Sequence, residues 1–234
     1  MLQKLIRKED KKVGVLVSGG LDSCAMLWQF LAKGCEPYPL YVQSGFRWEE
    51  AELASLRRFL AVAHLEDRLK ILSVPMDDLL GDHWGFGKEV VPDDTSDDQE
   101  VWLPGRNLFL LSKAAIWCQI ARIGHLALGT LAGNPFSDAT GEYLEKLESL
   151  LADEPALRIR LCQPFARKRK ADLLRSFPEV PFNLTFSCID PVNGRHCGRC
   201  NKCAERQSAF REASISDKTE YERQLCPPAG LPSE

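Results

Sequence analysis

Two groups of residues in this 234-residue chain have the types and spacing that chemistry needs. The first is Ser18-Gly19-Gly20-Leu21-Asp22-Ser23, directly after the apolar run Val13 to Val17. Paired glycines let the backbone turn tightly and bring N–H groups close to a ligand. A helix starting there adds the positive end of its dipole, and together these features make a phosphate cradle. Ser18 and Ser23 offer hydroxyl hydrogen bonds, and Asp22 is placed to cap the helix or hold a magnesium ion. No lysine follows the glycines, and G-x-G-x-x-G is absent, so neither common nucleotide loop is present. The bland alternative is a capped turn between a strand and a helix.

The second group is Cys188-x8-Cys197-x2-Cys200-x2-Cys203. Four thiolates are what a tetrahedral structural zinc site requires. Gly198 fits the tight knuckle that brings backbone N–H groups to sulfur. An iron–sulfur cluster uses the same ligand count, and buried thiols or a redox pair are the readings without metal. With every ligand position filled, zinc here folds the segment rather than catalyses. Two smaller signals accompany these groups. Arg106 is a planar fixed charge suited to phosphate or carboxylate, with Gly105 before it and Asn107 positioned to cap the following helix. Lys170 could neutralise a departing anion, although Arg167 to Lys170 also reads as a solvated helix face.

The elements that must position these residues alternate. Apolar runs at 13–17, 39–42, 69–74, 126–128 and 158–161 read as strands. Helical patterns cover 21–31, 49–63, 107–123, 141–151, 168–177 and a segment ending at Ala213. Such alternation predicts an α/β fold with a doubly wound parallel sheet, whose ligands lie beyond the carboxyl ends of the strands. The stretch from Met76 to Leu103 lacks periodicity and is expected to be a long loop. The domain reading is 11–181 for the α/β unit, 182–213 for a small cysteine module continuous with it, and 214–234 for a tail. His64, His83, His125 and His196 show no ligand spacing and are read as structural, and Cys24 as core packing.

Composition sets the bounds. Lysine plus arginine total 30 against 33 acids, a formal charge of −3, which argues against a nucleic acid partner held by bulk charge. The nine cysteines are not an even disulfide set. The first apolar run is too short for a signal peptide or a membrane span, so the expected location is the cytoplasm, with no membrane partner.

The motifs together carry a resemblance. Ser18 to Ser23 resembles the PP-loop of the ATP pyrophosphatases, the adenine nucleotide alpha-hydrolase-like enzymes that cleave ATP between the alpha and beta phosphates. Adding the cysteine quartet, Pro104-Gly105-Arg106-Asn107, Thr185-Phe186-Ser187-Cys188 and Glu205-Arg206, the chain resembles the 7-cyano-7-deazaguanine synthase family from about Val13 to Ala213. That resemblance implies ATP, Mg2+ and Zn2+ as cofactors, 7-carboxy-7-deazaguanine and ammonia as substrates, and a homodimer. The implied mechanism adenylates the carboxylate, forms an amide, activates that amide again and eliminates to the nitrile precursor of queuosine. Ser18, Asp22, Ser23, Arg106 and Lys170 are the implied catalytic residues. Val17 to Ser23 and Gly105 to Asn107 are the implied ATP-binding segments.

For the substrate, Tyr41, Gln43, Gly129, Asn134 and Asp138 match family positions. The family's basic Arg-His pair is replaced by Ser44-Gly45, and a Cys-Arg pair by Ala139-Thr140. Two further readings follow from these changes: a PP-loop enzyme that adenylates a different acceptor for amide ligation or thiolation, and a catalytically silent nucleotide-binding protein.

Overall fold

The computed structural model describes residues 11–87, 89–152 and 158–223. Five strands form one parallel sheet in the order β3-β2-β1-β4-β5: β1 Lys12–Leu16, β2 Glu36–Gln43, β3 Lys70–Ser73, β4 His125–Ala127 and β5 Arg160–Cys162. Each expected strand is present, shifted by a few residues. β2 begins earlier than its apolar run because Pro37 and Pro39 are tolerated there. Gln43, of the same parity as both prolines, accepts from Val74 on the β3 side, and β3 pairs only from Leu40 onward. The missing proline N–H groups therefore face a stretch of β2 that β3 does not cover.

Side chains alternate across the sheet. Val13, Val15 and Val17 enter one core with Met26 and Phe30 of α1 (Leu21–Ala32) and Leu56 and Phe59 of α2 (Glu49–Val62). The same core takes in Leu174 of α6 (Lys170–Ser176) and Phe210 of α7 (Asn201–Ala213). On the opposite face, Leu40 and Leu126 pack with Leu111 and Ala114 of α4 (Arg106–Ile120) and Leu144 and Leu147 of α5 (Gly141–Leu151). A sheet covered on both faces is the doubly wound arrangement, and its parallel strands put every following loop at one edge.

The segment from Met76 to Leu103 departs from the expected long loop. It contains a short helix, α3 (Asp77–Leu80), and single 3-10 turns at Trp84–Phe86 and Asp98–Val101. Met76, Trp84, Val101 and Leu103 are buried in a third core with Phe46, Trp48 and the four clustered cysteines. The acidic part is pinned to α7, where Asn201 N–H donates to the Pro92 carbonyl and Asn201 Nδ2 to Ser96 O. These partners lie about a hundred residues away, which is why local periodicity is missing.

Residues 214–223, expected to belong to a tail, fold back on the cysteine module. Thr219 Oγ1 accepts from Arg206, and Glu222 N–H donates to the His196 carbonyl. The remainder of that expected tail, 224–234, lies outside the described residues, as does Cys226. Among the described residues no helix is long and apolar enough to cross a membrane.

Candidate active site and metal centre

The turn after β1 is held from within. Ser23 Oγ accepts from Ser18 N–H and donates to the Gly20 carbonyl, while Gly20 N–H reaches Ser18 Oγ. Gly19 has φ +75, a left-handed conformation that glycine adopts without strain. α1 starts at Leu21 with Gly20 as its cap residue and no capping side chain. The first N–H groups of the helix are thus left for a ligand. Asp22 does not cap the helix as one sequence reading had it. Its Oδ1 is buried with no hydrogen-bond partner among the described residues. Burial raises the Asp22 carboxyl above its ordinary value, against the pull of Lys170.

Two adjoining cavities open from this turn. The first is walled by Leu16, Val17, Val42, Leu110 and Leu128, with Tyr41, Ser44, Glu49, Arg106 and Asn107. The second carries Trp48, Trp84, Phe136 and Phe186 with Arg169, Lys170, Lys202 and Glu205. Ser18, Asp22, Arg106, Gly129 and Asn134 border both. Gly129 lets the loop after β4 lie against the turn, since a Cβ there would sit 3.2 Å from Ser23 N and the Asp22 carbonyl carbon.

Most sequence-predicted residues meet here. Lys170 Nζ is 3.8 Å from Asp22 Oδ2 and 2.5 Å from Glu205 Oε1. Burial would lower the Lys170 ammonium, but Asp22 and Glu205 outweigh it and hold its pKa above the ordinary value. The helix-face reading of the basic run fits Arg169, which pairs with Asp172 at the surface, but not Lys170. Asn107 does not cap α4. It lies inside the helix and donates through Nδ2 to Asp138 Oδ1 at 2.9 Å, while Gly105 (φ +69) is the cap residue. Gln43 lines neither cavity. Glu142 pairs with Lys146 at the surface.

Sequence reasoning missed several wall residues. Phe46, Trp48 and Trp84 form a stack, with ring centroids 4.7 Å apart for the first pair and 5.6 Å for the second. Glu49 accepts from the N–H groups of Ser44 and Gly45, so a carboxylate sits beneath the segment where the family carries cations. Glu52 accepts from the Tyr41 hydroxyl at 2.7 Å, and burial pushes its carboxyl up to about 8. No motif marks these residues. The only sequence signal was the aromatic richness of 46–48 beside an acidic helix start.

The cysteine module adjoins the second cavity. The sulfurs of Cys188, Cys197, Cys200 and Cys203 are buried and lie within 4.8 Å of one another. Two pairs stand 3.9 Å apart. That is far beyond a disulfide bond and close to the ~3.8 Å edge of a tetrahedron of sulfurs around zinc. Backbone N–H groups of Asp190 and Cys197 point at Cys188 Sγ, and those of Arg199 and Cys200 at Cys197 Sγ. Such donors stabilise thiolates, so the donor set fits a metal. Gly198 has φ +75 and lies so close to Arg223 that a Cβ would overlap the carbonyl there. His196 is structural: it accepts from Ser187 N–H, and burial lowers its pKa to about 3.

Arg206 is the largest of the fully buried side chains. It donates to Thr185 Oγ1, Ser187 Oγ, Thr219 Oγ1 and the Phe182 carbonyl. The segment leading into Cys188 is thereby fixed, and its Phe186 N–H donates to the Gly19 carbonyl at 2.8 Å.

A doubly wound parallel sheet, an uncapped Ser-Gly-Gly-x-Asp-Ser helix start and a lysine facing it define a nucleotide-dependent enzyme of the PP-loop class. Within that class, the chain belongs to the family described as queuosine biosynthesis protein QueC, whose model matches residues 12–214. It is 32% identical over 206 residues to 7-cyano-7-deazaguanine synthase 1 of Desulfitobacterium hafniense, covering 86% of this chain and 91% of that one. The 7-cyano-7-deazaguanine synthase of Syntrophus aciditrophicus is 32% identical over 222 residues, covering 88% and 96%. Among solved structures, a 4-thiouridine synthetase–RNA complex with bound ATP superposes at TM-score 0.48 with 16% identity, over 87% of this chain and 50% of that one.

Proposed function

We propose that the protein is a 7-cyano-7-deazaguanine synthase, which uses ATP and ammonia to turn the carboxylate of 7-carboxy-7-deazaguanine into a nitrile. The observation that carries this reading is the uncapped start of α1, whose Asp22 borders both cavities with Arg106 and lies 3.8 Å from Lys170. ATP places its adenosine in the first cavity and its phosphates on the turn 18–23. The acceptor occupies the second cavity, beside Trp48, Trp84 and Phe186. The acceptor carboxylate oxygen attacks the alpha phosphorus, the bond to the beta phosphate breaks, and pyrophosphate leaves toward Lys170. Ammonia displaces AMP to give the amide. A second adenylation of the amide oxygen, with loss of AMP and protons, leaves the nitrile. Lys170 and Arg106 neutralise the charge that builds on the leaving oxygens.

The free Asp22 oxygen suits a magnesium ion, which would screen the phosphate charges. The four cysteines hold zinc as a structural ion, making 182–213 an appendage continuous with the 11–181 domain. One zinc per chain with no visible absorption supports this, and a brown protein refutes it. The homodimer would cover Leu108, Phe109, Ile116 and Ile120, which α4 leaves exposed; light scattering on the purified chain tests that. The enzyme acts in the cytoplasm.

The decisive experiment incubates the protein with ATP, ammonia and 7-carboxy-7-deazaguanine and follows products by mass spectrometry. The nitrile with AMP and pyrophosphate is expected. ATP cleavage only with a different carboxylate would favour the second reading, in which the replaced pairs Ser44-Gly45 and Ala139-Thr140 accompany a different acceptor.

A further inference from the structure

One carboxylate in the second cavity serves two lysines. Glu205 Oε1 is 2.5 Å from Lys170 Nζ, and Glu205 Oε2 is 3.0 Å from Lys202 Nζ. Lys202 also reaches Asp98 Oδ1 at 3.2 Å, on the 3-10 turn over the cavity. The shared carboxylate holds both ammonium groups in place. Each ammonium has three donors, so neither is exhausted by these contacts. Their side chains are 21% and 26% exposed, enough to meet a ligand in the cavity.

Arg106, Arg169, Lys170 and Lys202 line the cavity among Asp22, Glu52, Asp98 and Glu205, so an anion entering it meets four cationic side chains. A group leaving from the turn at Asp22 moves past Lys170 and next meets Lys202, because Glu205 sets the two side by side.

We propose that Lys202, on the helix of the cysteine module, is a second cation that binds the departing pyrophosphate, held beside Lys170 by their shared partner Glu205. The inference rests on the ATP-cleaving reading above, and it adds a role for the metal module: the module brings a ligand-binding charge to the site. Asp98 occupies Lys202 until the pyrophosphate displaces it.

The test measures binding of magnesium pyrophosphate alone to the full chain by titration calorimetry, with no acceptor, so the identity of the acceptor does not enter. Lys202→Gln is expected to weaken binding by roughly tenfold or more, the scale of one charge-assisted hydrogen bond. Lys202→Arg is expected to restore most of it, and Asp98→Asn to leave it within about twofold. Unchanged binding in Lys202→Gln overturns the proposal. So does Asp98→Asn matching Lys202→Gln, since Lys202 would then act only by tethering the turn. A second measurement needs no variant: acetylation of Lys202 in the wild-type protein, read by mass spectrometry, is expected to fall when pyrophosphate is present. Equal acetylation with and without pyrophosphate overturns the proposal.

Discussion

The Phe186 backbone N–H donates to the Gly19 carbonyl at 2.8 Å, so the chain entering the first clustered cysteine props the turn at residues 18–23. The cysteine module and that turn are therefore mechanically linked. Stripping the metal with a strong chelator is expected to lower the melting temperature and to weaken ATP binding by roughly tenfold, as thiolate repulsion releases residues 186–188. Calorimetric titration of ATP before and after chelation, with metal restored as the control, measures the coupling. Unchanged ATP affinity in the stripped protein would separate the two sites.

Lys170 faces Asp22 and Glu205 from a helix start that the sequence marks only as basic. Lys170→Met removes the cation that the proposed mechanism sets toward the leaving group. The loss expected in kcat is about 100- to 1000-fold, the range for removing one electrostatic stabiliser of a transition state. Pyrophosphate release assays read it directly. Thermal stability changes far less, because Glu205 keeps Lys202 as a partner.

Arg206→Met removes the donor to the hydroxyls of Thr185, Ser187 and Thr219 and one donor of the Phe182 carbonyl, which keeps the Thr185 hydroxyl and N–H. Each buried unsatisfied group costs about 1–3 kcal/mol. The expected destabilisation is about 3 kcal/mol or more, read from urea denaturation of the metal-loaded protein. A shift below 1 kcal/mol would mean that the module rearranges around the gap.

Glu52 gives a dependence on pH. Its folded-state carboxyl is raised to about 8, above its unfolded value. Between about pH 4.5 and 8 the folded chain then binds more protons at this site than the unfolded chain, so stability falls as pH rises through that window. Glu52→Gln removes the contribution. Melting temperatures of the two proteins across pH 5 to 8 should converge at the acid end and separate toward pH 8, with the variant more stable.

How much of this was legible in sequence differs by element. β1, the turn and α1 could be read because a buried parallel strand is a continuous apolar run and glycines punctuate it. The cysteines could be read because ligand spacing is local. Trp48 and Trp84 could not be joined, since their stack depends on a segment held down by Asn201 more than a hundred residues away. Asn107 looked like a cap because its neighbours fit one, but α4 already starts at Arg106 with Gly105 as its cap residue, and Asn107 Nδ2 donates across the fold to Asp138. Gln43 matched its family by type, yet it lines neither cavity. Arg206 was read only as part of a matching run, and nothing in a polar helix face signalled that it is buried.

The turn at residues 18–23 is completed by Lys170, Phe186 and Glu205, all from the last third of the chain. During synthesis this turn leaves the ribosome well before the three residues gathered around it. A nascent chain therefore exposes the Ser-Gly-Gly-x-Asp-Ser turn before Lys170, Phe186 and Glu205 exist to surround it.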